Sequence, residues 1–477
     1  MRKKIVPDFA GEGRFPLEEC HKNHLILNGM ALFFSVLFFS GVFFCFHAEA
    51  EELTLETALN LAMKENPILL GAREQVYQAE EEISAAKAGL GPDLQVLLSY
   101  TKEKEAARYP VYGVSGGSII GFAPAGYEDT WYTALQLTQV LYAGGSIRAG
   151  VKAAEFQRDS ADSLYKRSIQ SVANSVRKAY YDLQRFRAQL DVAEASVELA
   201  QEHLKQVEAF YRNGVVAKNE VLRVQVDVSS AELERIRMDN AVKVAWKALE
   251  RAVGASLQTE YTLGDPEDTL PVFDIPEDPG KLALLRRPEI FSFEFQSKAA
   301  MQVAAAEKGQ LLPQVFFEGK VNAADDSFFP ENDDWTLGIS VQWTLFDSGE
   351  QNAKAAQAKS LARQLLHELE DLRREIGLEV STANLDLESA TQRVEVAQAQ
   401  VESAEEDYRM ALRRYTAQVG TNIDVLDARV ALSEARTALV NAVYDGRSAY
   451  SDLLYAIGED PYLKENDKDY SSGTDSL

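Results

Sequence analysis

Two long stretches of this chain carry apolar residues at alternating spacings of three and four. The first runs Ile169, Val172, Val176, Ala179, Leu183 and onward to Tyr211; the second runs Ile376, Val380, Ala383, Leu387 and onward to Tyr415 in the same register. An alternation sustained this far without a slip is a heptad seam and predicts coiled-coil helices. Upstream of each seam the period falls to two. Leu94, Val96, Leu98 and Tyr100 alternate with polar neighbours, Leu97 being the exception, and a second strand spans about 130–141. Further on, Val315, Phe317, Gly319 and Val321 alternate with Glu318, Lys320 and Asn322, and Trp335, Leu337, Ile339, Val341 and Trp343 alternate with small or polar residues. The pattern is that of two strand hairpins, each followed by a long coil.

The period changes from strand to helix within Leu135–Ala154 and again within Ile339–Ala358, at turns containing Gly144 and Gly145 in one case and Gly349 in the other. One offset relates Tyr211 to Tyr415, Leu222 to Leu426 and Gly254 to Gly458; a slightly larger one relates Pro67 to Pro288 and Pro92 to Pro313. The chain is therefore a duplication whose second hairpin loop is the shorter. A helix over Ser146–Arg212 would span about 100 Å at ~1.5 Å per residue. Asn213-Gly214 ends it, with Asn219 as a cap for the helix returning to about Val253, and Gly420 marks the corresponding tip of the second coil. Thr54 caps an opening helical segment that Asn66-Pro67 breaks. Residues 106–129, rich in Gly, Pro and Tyr, are expected to form a protruding loop. The resulting organisation is a first repeat over 51–254 (hairpin 94–141, coil 146–254), a Pro-rich connector over 255–280, a second repeat over 281–458 (hairpin 314–345, coil 350–458) and an acidic, disordered tail over 459–477.

Composition narrows the function. A formal net charge of −25 over 477 residues repels a phosphate backbone, so nucleic acid is excluded as a partner. Leu25–Phe46 is largely apolar and is followed by Ala48-Glu49-Ala50, which reads as a signal peptide over residues 1–50, with Met30 as an alternative start. Phe43 and Phe44 are too bulky for a lipid-modification site at Cys45. Both cysteines, Cys20 and Cys45, precede the cut, leaving no disulfide and no thiolate metal site. Beyond residue 50 the histidines are His203 and His367, read as surface residues of helices with no metal-ligand spacing. Ala143-Gly144-Gly145 lacks the ending of a phosphate loop. These residues point to no catalytic site, cofactor or metal, and the expectation is that the protein is not an enzyme.

The strands carry the functional argument. One face is apolar with aromatics at its ends and the other hydrophilic, as in a transmembrane β-barrel strand, and the neighbouring segments are self-contained coils that leave nothing to cover the apolar face. Four strands cannot close a water-filled barrel, and open edges cannot face lipid, so the membrane reading requires several copies to share one barrel. The fold class expected is mostly α with a small β part: a duplicated unit of coiled-coil helices plus four transmembrane strands contributing to an oligomeric barrel and helical tunnel. The alternative is a periplasmic coiled-coil scaffold without a channel.

With its opening LTLETALNLAMKENP, its turns LYAGGSIRA and LFDSGEQNA, and its closing YTAQVGTNIDVLDARVALSEARTALVNAVYDGRSAYSDLLYAIG, the chain resembles the TolC-type outer-membrane efflux protein family. The resemblance covers nearly all of the chain after residue 50. It implies a homotrimer in the Gram-negative outer membrane, four strands per subunit in a twelve-strand barrel, and a periplasmic helical tunnel. It also implies a passive duct that receives cargo from an inner-membrane transporter through a periplasmic adaptor protein, in efflux or in type I secretion; small toxic compounds and polypeptides both stay open as cargo. The family pattern places a periplasmic constriction at Asp427 and Asp424, with Tyr415 and Glu220 in the polar closure network. The coil tips, Phe210–Val221 and Tyr415–Val425, which contain Gly214, Lys218 and Gly420, are expected to carry the adaptor contact, because they are exposed turns at the far ends of rods anchored by the strands. Thr421-Asn422-Ile423-Asp424 also reads as a helix-capping box, which leaves two roles open for Asp424. Gly420 stands where the family's closure arginine is expected, so the closed end must be held differently here.

Overall fold

The computed structural model describes residues 51–459 apart from 106–107, 113–118, 125–127, 258–260, 265–268, 329–330 and 332. The expected signal peptide and the tail from residue 460 lie outside the described residues.

The chain from Glu52 onward begins as the sequence predicts. After β1 (Glu51–Leu53), the Thr54 hydroxyl accepts from Thr57 N at 3.1 Å and starts α1 (Leu55–Glu65). Asn66 ends that helix, and its side chain accepts from Ile68 N to start α2 (Pro67–Ala88), where Pro67 gives up no helical hydrogen bond at the first position. The first hairpin is β2 (Pro92–Lys102) and β5 (Asp129–Ala143). The intervening loop differs from expectation: β3 (Arg108–Tyr112) and β4 (Ile119–Pro124) pair within it as a small antiparallel sheet. The first coil is α3 (Ser146–Arg212), 67 residues long as the heptads require, and α4 (Lys218–Val253). In the connector, β6 (Tyr261–Leu263) joins β1 in a two-stranded sheet. Then follow α5 (Pro279–Arg286), α6 (Pro288–Gly309), β7 (Gln314–Asp325), β8 (Asp333–Gln342), α7 (Glu350–Thr416) and α8 (Asn422–Ala456).

Four strands form one antiparallel sheet in the order β2-β5-β7-β8. Its register aligns the apolar positions of all four: Val96 opposes Leu135, which opposes Val321, which opposes Trp335, and Leu94, Leu137, Gly319 and Leu337 form the next row. A side chain added at Gly319 would meet Leu337 at 3.1 Å, so the glycine lets the larger neighbours close over it. The opposite face carries Gln95, Gln136, Lys320 and Thr336 in one row. Nothing among the described residues covers the apolar face; Ile339 is 69% exposed and Val96 67%. Both edge strands, β2 and β8, keep one side unpaired.

Each repeat has its own core. Leu53, Leu59 and Leu69 pack with Ile169–Leu183 of α3 and with Leu249 and Val253 of α4; Ile290 packs with Leu369–Leu387 of α7 and with Leu453 and Ile457. The duplication extends to the anchors between elements. Asn66 Nδ2 donates to Ala252 O at 2.7 Å, and Arg287, in the matching place, donates from Nη1 to Ala456 O at 3.3 Å. Each coil then ends on a left-handed glycine, Gly254 or Gly458, pressed against that anchor. Arg287 also joins a buried ionic cluster with no counterpart in the first repeat. Its Nη2 and the Nε of Arg167 both reach Glu289 Oε1, at 2.6 and 2.7 Å, while its Nη1 pairs with Glu379, tying α3, α6 and α7 together.

Candidate functional site

The strand-to-helix turns are the first sequence-predicted positions. Gly145 (φ 83°) and Gly349 (φ 90°) each precede the first residue of a long helix in the left-handed region, where a side chain is strained. Gly144 is left-handed too, and a Cβ there would lie 2.0 Å from Gly309 O, so the turn and the end of α6 require glycine on contact as well. The second turn places Ser348 at the matching position, with φ 54°. Asp347 compensates: its carboxylate accepts from Gly349 N at 2.8 Å and Gln351 N at 2.9 Å, capping α7.

At the other end of the coils, 213–217 and 417–421 form the tips. Gly214 has φ 72° and turns the first tip, but in the second tip the left-handed residue is Gln418 (φ 62°), the repeat partner of Gly214, and not Gly420. Gly420 is crowded instead: its N–H donates to Arg414 O at 3.1 Å, and a Cβ would sit 3.0 Å from Arg414 Cβ and 3.1–3.2 Å from the Tyr415 and Arg414 backbone. Asn219 does not cap α4. Ala217 holds that position without a side-chain hydrogen bond, and Lys218 is the first helical residue, exposed at the tip. The matching cap of α8 is complete: Thr421 Oγ1 accepts from Asp424 N at 3.2 Å and Asp424 Oδ2 accepts from Thr421 N at 3.0 Å. These hydrogen bonds hold the Asp424 carboxyl below its ordinary range. Asp427, one turn on, is exposed and makes no ion pair or hydrogen bond among the described residues.

Tyr415 and Glu220 meet. Tyr415 is 5% exposed, and its hydroxyl donates to Glu220 Oε2 at 3.5 Å. Burial first, and then the Glu220 carboxylate, push its pKa up to about 12, so it stays a neutral donor. Beside it lies a residue expected on the surface. His203 is 2% exposed, edge-on to Tyr415 with ring centroids 5.2 Å apart, and its Nε2 is 2.7 Å from Asn422 Oδ1 at the start of α8. His203 Nδ1 and Asn422 Nδ2 are buried without hydrogen-bond partners among the described residues, and burial holds the imidazole pKa below its ordinary value.

One turn further lies an ion pair that the sequence did not suggest. Arg429 of α8 is buried and grips Asp227 of α4 with two nitrogens, Nε at 3.0 Å and the closer Nη2, while Nη1 donates to Ser196 Oγ of α3 at 2.6 Å. This link joins the two coils within one chain. The sequence offered no signal for it, since Arg429 and Asp227 occupy non-equivalent places in the two repeats and each looks like an ordinary coil charge.

No helix among the described residues is long and apolar enough to cross a membrane, and the apolar face of the four-stranded sheet is exposed. A sheet open to lipid on one face, carried by two long coils with a polar, carboxylate-bearing tip, defines a β-anchored membrane channel with a helical duct. The chain belongs to the outer membrane efflux protein family, whose model matches residues 58–255 and 280–459, the two repeats without the connector. The protein is an exit duct of the outer membrane, and its relatives in this family are channels rather than enzymes. It is 25% identical over 411 residues to the outer membrane efflux protein BepC of Brucella suis, covering 85% of each chain. To the alkaline protease secretion protein AprF of Pseudomonas aeruginosa it is 23% identical over 420 residues, covering 86% of this chain and 85% of that one. The crystal structure of the outer membrane protein VceC from Vibrio cholerae superposes with a TM-score of 0.70 at 20% identity, covering 85% of this chain and 96% of that one.

Proposed function

We propose that three copies of this chain build the duct, each giving β2, β5, β7 and β8 to a twelve-strand barrel and its coils to a periplasmic tunnel. The observation that carries this reading is the sheet itself: its apolar face is uncovered and both of its edges are unpaired, a state that lipid forbids unless β8 of one copy pairs with β2 of the next. The tunnel narrows at the coil tips, where Asp427 projects without a partner and Asp424 caps the same helix face, and the Tyr415–Glu220 contact belongs to the closed state. The tips carrying Gly214, Lys218 and Gly420, with Val215 and Val419 exposed beside them, dock a periplasmic adaptor that hands over cargo from an inner-membrane transporter. Conduction is passive. Relatives are named for protease secretion and for solvent efflux, so a shared duct does not read its cargo and the transporter selects it.

The test is physical. Light scattering of the detergent-solubilised protein should give the mass of three chains, and the same preparation should produce uniform conductance steps in a planar bilayer. A monomer that gives no conductance would leave the coiled-coil scaffold as the reading.

A further inference from the structure

At the sheet end of the second repeat three cations converge. Lys308, on the last turn of α6, lies within hydrogen-bonding reach of Lys359 on α7, and Arg363 follows Lys359 one turn on, along the same flank of the helix. The directions of the helices bring the two ammonium groups together. α6 runs toward the sheet and α7 away from it, and side chains lean toward the start of their own helix, so Lys308 reaches back from the sheet while Lys359 reaches up toward it. No carboxylate meets them. Lys308, Lys359 and Arg363 form no ion pair among the described residues, although other cations of α7 on either side do: Lys354 with Glu350 at 2.8 Å, Arg373 with Glu294 at 3.4 Å and Arg374 with Glu370 at 2.8 Å. Glu307, next to Lys308 in the chain, acts on Lys354 as well. The nearness of Lys308 above all, with Arg363 adding to it, holds the Lys359 ammonium below its ordinary pKa.

The internal repeat shows that the fold does not demand this charge. At the offsets that relate the two repeats, Lys308 corresponds to Lys87, Lys359 to Glu155 and Arg363 to Asp159. One frame therefore carries a cation with two acids in the first repeat and three cations in the second. In a chain of net charge −25, an uncompensated group of three cations is a local reversal of sign that attracts an anion. Its place narrows which anion. Leu312, one turn beyond Lys308, and Leu345 and Phe346, just before α7, are exposed apolar residues at the coil end of the sheet, where Trp343 Nε1 donates to Leu311 O at 3.1 Å. With the sheet in a bilayer, an aromatic residue of this kind marks the interface, and the layer just outside it holds the headgroup phosphates.

We propose that Lys308, Lys359 and Arg363 bind a phosphate group, the two ammonium groups and the guanidinium donating to its oxygens while its negative charge relieves the repulsion between the lysines. The site goes beyond the duct proposed above and depends on it only for the source of the phosphate: an anionic phospholipid headgroup where the cluster meets the membrane, free phosphate where it meets water alone.

The experiment uses the full chain, detergent-solubilised and stripped of lipid, and titrates it calorimetrically with inorganic phosphate and, separately, with short-chain phosphatidylglycerol, phosphatidylcholine serving as the neutral control. One saturable site per chain is expected. Saturation by phosphatidylglycerol without a response to inorganic phosphate identifies the lipid headgroup; saturation by inorganic phosphate identifies a site open to water. Lys359→Glu combined with Arg363→Asp gives the second repeat the charges that the first carries in the same frame, and should weaken binding by about tenfold or more, whereas Lys359→Arg should retain it. The double variant should also melt above the wild type without ligand, because the like charges are gone, and should lose the rise in melting temperature that the ligand gives the wild type. Lys359→Gln, which removes one charge only, is the second variant should the double one not fold. No saturable binding of either probe by the wild type, or equal binding by wild type and variants, would overturn the site. Inorganic phosphate binding reads the same in a single chain as in an oligomer, so its failure is distinct from failure of the duct, which light scattering and conductance decide.

Discussion

Arg429 shows how a single residue ties three helices together. It is buried between three helices, and its charge is tolerable only because Asp227 and Ser196 meet its donors there. Asp227→Asn should therefore destabilise the folded subunit by about 3 kcal/mol, because it leaves a buried guanidinium without its counter-ion, while Asp227→Leu combined with Arg429→Met should cost much less. Chemical denaturation of the three proteins measures this, and equal losses in the single and double variants would show that the pair's charge is irrelevant. His203 adds a pH dependence. It faces Asn422, Gln206, Tyr415, Asp227 and Arg429, and the net effect, led by burial, lowers its pKa below the ordinary 6.5. The unfolded chain then takes up the proton first, so the contribution is whole above about 6.5 and is lost as pH falls from there through the folded value. Melting between pH 7.5 and pH 5.5 should show the wild type losing stability relative to His203→Gln; parallel losses would exclude the imidazole. The sequence placed His203 wrongly because heptad arithmetic identifies the seam between two helices of one coil. It cannot tell which flank of α3 a third helix, α8, will cover.

At the scale of elements, most of what the sequence predicted follows from period. The seams set α3 and α7, and the alternation set the four strands of the sheet and which residues share its apolar face. What period cannot reach is short or special backbone. The β3–β4 hairpin is built from five- and six-residue strands containing Pro110 and Pro124, too brief and too broken for an alternation to stand out. The second tip misleads for a related reason: glycine is the expected left-handed residue, yet Gln418 takes that conformation, with its N–H donating to Tyr415 O at 2.9 Å, while Gly420 answers to crowding. The apolar face of β8 gives a prediction at this scale. Ile339→Arg places a charge mid-strand toward lipid and should cost about 2–4 kcal/mol, whereas Ser340→Arg, pointing to the other face, should be tolerated. Folding into vesicles measures the cost, and cysteine labelling of the two positions checks the assignment. Equal access of a membrane-impermeant reagent to both faces would remove the barrel.

On the scale of the whole molecule, the two ends of the coils are built differently: the sheet end by apolar rows and fixed turns, the tip end by a few polar side chains. Asp424 and Asp427 lie one turn apart on α8, and the structure distinguishes them: the first is committed to the cap with Thr421, the second is exposed and unengaged among the described residues. If three copies bring Asp427 to a common axis, three carboxylates face one another across a narrow mouth, where repulsion at short range is only partly screened by salt. Such a ring holds cations. The purified channel should be cation-selective and partly blocked by multivalent cations added on the side of the coil tips. Asp427→Asn removes the charge with little change in volume and should abolish the block while the trimer still assembles, whereas Asp424→Asn should act chiefly on the tip, by weakening the cap of α8. Single-channel recording in a planar bilayer separates the two. A block that persists in Asp427→Asn would make that residue an ordinary surface acid, and its loss in Asp424→Asn alone would move the constriction one turn toward the tip.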